Sequence, residues 1–115
     1  SLRNQTGSLL PEIMEANFAY NLTIEAYARL TNKSVSSFKR DFQSIYKTTP
    51  GRWLIEKKLT LARQFLLETD KSIVDVAFES GFENTAHFCR MFKQRTSLTP
   101  MQYRKQIRVQ QVAAI

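Results

Sequence analysis

The chain has one cysteine in 115 residues, so no internal disulfide can staple it, and this fits a reducing compartment. It has one histidine, which leaves no second imidazole for a metal set. No apolar run approaches the ~18 residues of a membrane span, and no cationic, apolar leader is read at the start. With only three glycines and few alternating β-branched residues, strands find little support, so the chain reads as all-α. No phosphate-binding glycine loop, metal-ligand cluster or nucleophile–base pair is visible, which argues against an enzyme. No cofactor or metal is expected.

Acids are also in short supply. Lys and Arg number 17 against 10 Asp and Glu, a net +7 and a pI near 9.9. A domain this basic suits a polyanion. The distribution says more than the total. Residues 33–47 hold Lys33, Lys39, Arg40 and Lys47 against Asp41 alone. Residues 84–95 hold Arg90, Lys93 and Arg95 and no acid, whereas 72–83 hold Asp75, Glu79 and Glu83 and no base.

Apolar residues make up 43%, enough for a packed core. Residues 72–92 organise the chain. Ser72 followed by Asp75 marks an N-cap. Ile73, Val76 and Ala77 recur at helical spacing. Gly81 breaks the helix, because glycine takes a left-handed backbone without steric cost. A second helix starts near Asn84 or Thr85, with Phe88 and Phe92 one turn apart on its inner face. Its other face carries Thr85, Ala86, His87, Cys89, Arg90 and Lys93. That is a helix-turn-helix layout.

The pattern occurs twice. Ile24 and Ala28 precede Ile73 and Ala77 by 49 positions. Phe38, Arg40, Phe42 and Pro50 precede Phe88, Arg90, Phe92 and Pro100 by 50, so the second turn is one residue longer. Two copies are too few for a solenoid. They read as two pseudo-repeated units.

In chain order, residues 1–10 are expected to be a disordered linker. Residues 11–50 form the first unit. Pro11 opens a helix bearing Ile13, Met14, Phe18 and Tyr20, closed by Asn21. Thr23 caps the next, whose buried face is Ile24, Tyr27, Ala28 and Leu30. Asn32 takes the glycine's place in the turn. Ser34 caps a helix with Val35, Phe38, Phe42 and Ile45 inside and Ser36, Ser37, Lys39, Arg40 and Gln43 outside. Residues 51–68 are a connector helix of about 27 Å at ~1.5 Å per residue. Leu54, Leu61 and Phe65 line one stripe of it, and Ile55, Leu59, Ala62 and Leu66 the next, with Trp53 as a core plug. Residues 69–109 are the second unit. Its last helix starts at the strong Thr99-Pro100-x-Gln102 signal and packs Met101, Tyr103 and Ile107. Residues 110–115 are a tail.

The run Ser72-Ile-x-x-x-Ala-x-x-x-Gly-Phe-x-x-x-x-x-Phe-x-Arg-x-Phe-Lys93, with Thr99-Pro100-x-x-Tyr103-Arg104, resembles the DNA-binding domain of the AraC/XylS family of bacterial transcription regulators. The likeness spans about Leu22 to Arg104. Departures are Lys47 and Ser97, where the family usually has Gly, and Lys58, where Arg is common. The resemblance implies seven helices in two helix-turn-helix subdomains joined by the long helix. It implies that each recognition helix enters a major groove of double-stranded DNA, on one side of the duplex. The first reading face is then Ser36, Ser37, Lys39, Arg40 and Gln43. The second is Thr85, Ala86, His87, Cys89, Arg90 and Lys93. It further implies a cytoplasmic, nucleoid-associated regulator, the DNA-binding piece of a longer protein. The isolated domain would be monomeric, with dimerisation and RNA polymerase contact left to the whole.

The residue chemistry agrees. Arg40 and Arg90, at equivalent positions, can each grip guanine O6 and N7, or else a phosphate. Gln43 suits adenine. Ala86 and Cys89 allow close backbone approach or touch a thymine methyl. Lys39 and Lys93 suit phosphates, as do helix starts near Thr23, Ser72 and Thr99. Against these stand plainer readings. His87 is a polar surface contact, Cys89 an unreactive small residue, and Glu79 and Glu83 are solvated. An RNA-binding or protein-docking module would use the same basic surface.

Overall fold

A computed structural model describes residues 2–113, with side chains from Leu9 onward. Ser1, Ala114 and Ile115, the last two in the expected tail, lie outside the described residues. The described residues form seven helices and no strand: α1 Leu2–Asn17, α2 Ile24–Leu30, α3 Val35–Tyr46, α4 Pro50–Glu68, α5 Ile73–Glu79, α6 Thr85–Thr96 and α7 Pro100–Ala113. They divide into two compact units, Ser1–Lys57 and Lys58–Ile115, and the boundary falls inside α4.

In the first unit, Leu10, Met14, Tyr27, Ala28, Phe38 and Phe42 form the core, with Trp53, Tyr46 and Leu54 packed against it. The Phe42 ring lies 4.5 Å from Tyr46 and 5.9 Å from Trp53. Trp53 therefore packs against the core and is partly buried there. Lys57 adds a polar clasp: its ammonium lies 5.2 Å from the Phe18 ring centre and 2.9 Å from a Glu15 carboxylate oxygen. In the second unit Leu59, Ala62, Leu66, Val76, Ala77, Phe82, Phe88 and Phe92 are buried. The rings of Phe82, Phe88, Phe92 and Tyr103 follow one another at 5.1–5.6 Å.

The caps fall where the polar residues announce them. Thr23, Ser34, Ser72 and Asn84 each accept the amide of the residue three on, at 3.1, 3.1, 3.0 and 2.7 Å. Each such cap contributes about 1 kcal/mol. Thr99 and Gln102 exchange both bonds of a capping box.

The repeat extends to the turns. The Thr31 hydroxyl donates to the Tyr27 carbonyl and the buried Ser80 hydroxyl, 49 positions on, to that of Val76. The amides of Lys33 and Phe82 close matching turns on the carbonyls of Ala28 and Ala77, at 2.8 and 2.9 Å. Asn32 between them has φ 59° and Gly81 has φ 105°. Phe82, in the place of Lys33, enters the core, where it is 2% exposed, and the extra residue of the second turn follows it.

Several expectations need correction. α1 begins at Leu2, so residues 1–10 are not a disordered linker as far as they are described, and Pro11 lies inside the helix rather than opening it. Leu10 and Met14, one turn apart and both buried, hold the helix through the proline, which costs a backbone hydrogen bond. α1 also ends earlier, at Asn17, whose side-chain amide donates to the Ile13 carbonyl. Tyr20 is exposed. Leu30, Ile45 and Met101 are 48%, 43% and 59% exposed, not inward. Each lies about 100° round its helix from the residue that takes the inner place. Thr31 does so beside Leu30, Tyr46 beside Ile45 and Pro100 beside Met101. α7 runs on past residue 109 to Ala113.

Candidate nucleic-acid interface

α3 is a twelve-residue helix whose inner side is fixed by Phe38 and Phe42, both fully buried. The opposite side therefore faces water. Ser36, Lys39, Arg40 and Gln43 are exposed there, and Ser37 is half-buried, its amide bound to Ser34 Oγ. α6 repeats the arrangement. Phe88 and Phe92 are buried, while Ala86, Arg90 and Lys93 are exposed. Thr85, His87 and Cys89 are half-buried at the edges of that face.

Charge is distributed so that these faces stay open. Asp41 is held by Lys33 at 2.7 Å, Glu79 by Lys71 at 3.2 Å, and Asp70 by Arg108 at 3.1 Å. Among the described residues no ion pair occupies Lys39, Arg40, Arg90 or Lys93. These three acids thus find partners off the two faces, and Lys39, Arg40, Arg90 and Lys93 remain on them. An exposed guanidinium with its five N–H donors uncommitted is suited to a planar acceptor pair or a phosphate.

Two edge residues have more defined surroundings than their spacing shows. The His87 ring stands edge-on to Phe82, with centroids 5.7 Å apart, and its backbone amide binds the Asn84 cap. Burial pushes the Cys89 thiol up, so the nucleophilic thiolate is scarce at neutral pH. No group of three or more potential metal ligands occurs among the described residues.

Sequence reasoning missed the support behind α6. Arg104 Nε donates to the Leu66 carbonyl at 3.0 Å, and Arg108 donates to the Thr69 carbonyl. Both satisfy carbonyls at the open C-terminal end of α4. The Tyr103-Arg104 pair in the quoted motif was the available signal. Lys58 stands where the AraC/XylS pattern commonly has Arg. Its ammonium lies 5.9 Å from the Phe82 ring, and burial lowers its pKa against an opposing pull from Glu83.

Lys47 and Ser97, at the ends of α3 and α6, both adopt the left-handed backbone, with φ of 59° and 68°. The turn geometry that glycine would favour is therefore kept by residues that pay a steric cost for it.

Comparison with known proteins places this geometry. The helix-turn-helix domain family matches residues 27–106. The virulence regulon transcriptional activator VirF of Yersinia enterocolitica is 32% identical over 103 residues, covering 90% of this chain and 38% of that protein. The HTH-type transcriptional regulator ExsA of Pseudomonas aeruginosa is 31% identical over 104 residues, covering 90% and 37%. The chain thus spans well under half the length of these relatives. An AraC-type DNA-binding-domain protein from Chromobacterium violaceum superposes with a TM-score of 0.75 at 29% identity, over 90% of this chain and 93% of its own. The DNA-binding domain of AdpA, solved with a target DNA, has the same fold, with a TM-score of 0.84 at 23% identity over 90% and 94%.

Proposed function

Because this chain belongs to the AraC-type family of helix-turn-helix transcription regulators, we propose that it binds double-stranded DNA sequence-specifically through α3 and α6. The observation that carries this reading is the pair of uncommitted cationic faces at equivalent places in the repeat. Arg40 and Arg90 are the base-reading candidates, each suited to guanine O6 and N7. Lys39 and Lys93 serve phosphates, and Ser36, Ser37, Gln43, Thr85, Ala86, His87 and Cys89 shape the two faces. α3 and α6 would enter successive major grooves, which requires half-sites about one helical turn apart. AdpA, of the same fold, was solved in complex with a target DNA, which supports DNA as the partner.

The activator name of VirF supports a role in turning transcription on; RNA polymerase as a protein partner of the whole regulator is what the family resemblance implies. The part of the relatives that this chain does not cover would carry dimerisation. One relative, AdaA of Bacillus subtilis, is named as both activator and DNA repair enzyme. The DNA-binding share of such a protein is the one assigned to this chain, in the bacterial cytoplasm.

The test is a gel shift with duplex DNA against structured RNA competitor, followed by selection of sites from random duplexes. The expected result is clear duplex preference with steep salt dependence, and selected sites with two half-sites about 10 base pairs apart. Arg90→Ala should lose preference at one position while keeping its thermal midpoint. Equal binding to RNA would overturn the reading.

A further inference from the structure

The two faces are not equivalent, and the difference lies one helical turn beyond the paired arginines. At 100° per residue, Ala86, Arg90 and Gln94 form one stripe of α6, and Phe88 and Phe92 lie on the far side. All three stripe residues are exposed. Arg90, Met91, Lys93 and Gln94 line an open concavity of about 370 Å³. Met91 is half-buried and supplies its apolar wall.

Fifty positions earlier the same place holds different chemistry. Asp41 stands for Met91 and Ser44 for Gln94. The concavity there, about 270 Å³, is lined by Leu10, Lys33, Asp41, Ser44 and Ile45. The Asp41 carboxylate binds Lys33 at 2.7 Å. A carboxylate held in an ion pair offers no amide to a base, and a serine hydroxyl is too short to span a base edge.

We infer that Gln94 and Met91 form a second base-reading element on α6, specific for an A·T pair, at a place where α3 carries Asp41 and Ser44 instead. The inference rests on the DNA-binding reading above. The Gln94 amide can accept from adenine N6 and donate to N7, while the thymine methyl of the same pair meets the Met91 thioether. No other common pair presents that combination in the major groove. Gln94 stands about 6 Å along the helix from Arg90 at ~1.5 Å per residue. That is one to two base-pair steps at ~3.4 Å each, so the A·T pair lies next to or one beyond the guanine that Arg90 reads.

The test is site selection and titration of this chain and its Gln94→Ala and Gln94→Glu variants on duplexes altered one pair at a time. For the parent chain, replacing the A·T pair by G·C should weaken binding about tenfold, within the usual range for a bidentate contact. Gln94→Ala should remove that penalty at this one position and keep the others and the salt slope. Gln94→Glu should turn the preference toward cytosine, whose N4 donates to a carboxylate. Uniform weakening on all duplexes, or an unchanged penalty in Gln94→Ala, overturns the assignment and leaves the Arg90 position intact. A parent chain with no duplex preference would instead overturn the DNA-binding reading itself.

Discussion

Replacing Lys47 and Ser97 by glycine should make the protein more stable. Lys47 sits at φ 59°, ψ 26° and Ser97 at φ 68°, ψ 2°. A side chain in this region costs about 1–2 kcal/mol, because Cβ crowds the following carbonyl oxygen. Glycine removes that cost but loses about 0.5–1 kcal/mol more backbone entropy on folding. The net gain is about 0.5–1 kcal/mol at each site. Little offsets it, since both side chains are exposed. The backbone amides keep their bonds to the Gln43 and Lys93 carbonyls, at 2.9 and 2.8 Å. The double variant should gain about 1–2 kcal/mol, or roughly 4–8 °C in the thermal midpoint of a domain this size. Thermal melts and urea titrations followed by helical circular dichroism measure it. Lys47→Ala and Ser97→Ala are the controls, because they delete the side chain yet keep Cβ. If alanine stabilises as much as glycine, or glycine not at all, backbone strain is not the cause.

Gly81→Ala tests the opposite case. At φ 105° an alanine is strained by about 1–3 kcal/mol, so a drop in the urea midpoint is expected. Burial raises the Tyr27 pKa, so the folded state holds its proton after the unfolded chain has released it. Stability is then fully present below the unfolded value near 10 and falls as pH rises through the folded one. Tyr27→Phe should lose about 1 kcal/mol at pH 7, from the hydrogen bond to the Asn17 carbonyl. It should also show a shallower alkaline loss in a pH series of melts. Cys89 should react with a disulfide reagent at pH 8 more slowly than a free thiol does, because burial raises its pKa. A rate equal to the free thiol would mean the α6 face is more open than described.

The starts of α2, α3, α5, α6 and α7, both turns and the inner phenylalanines of α3 and α6 were legible in the sequence because each depends on neighbours within about four positions. Ser72 caps the amide of Asp75, Gly81 supplies the positive φ, and Phe88 and Phe92 share a side through helical spacing alone. The outward faces of α3 and α6 followed from those inner sides. The sequence by itself determined the repeat, the helical class and the sites where cations gather. Tertiary structure decided what faces the core among apolar residues of similar character. Tyr46 displaces Ile45 because its ring reaches Phe42 and Trp53. It also decided how far α1 runs, since the buried Leu10 holds the helix through Pro11. Arg104 finds the Leu66 carbonyl across 38 positions. Lys33 rather than the adjacent Arg40 takes the Asp41 carboxylate, at 2.7 Å. Which groups meet across such separations is set by the packing of whole helices, and no short window of sequence contains that information.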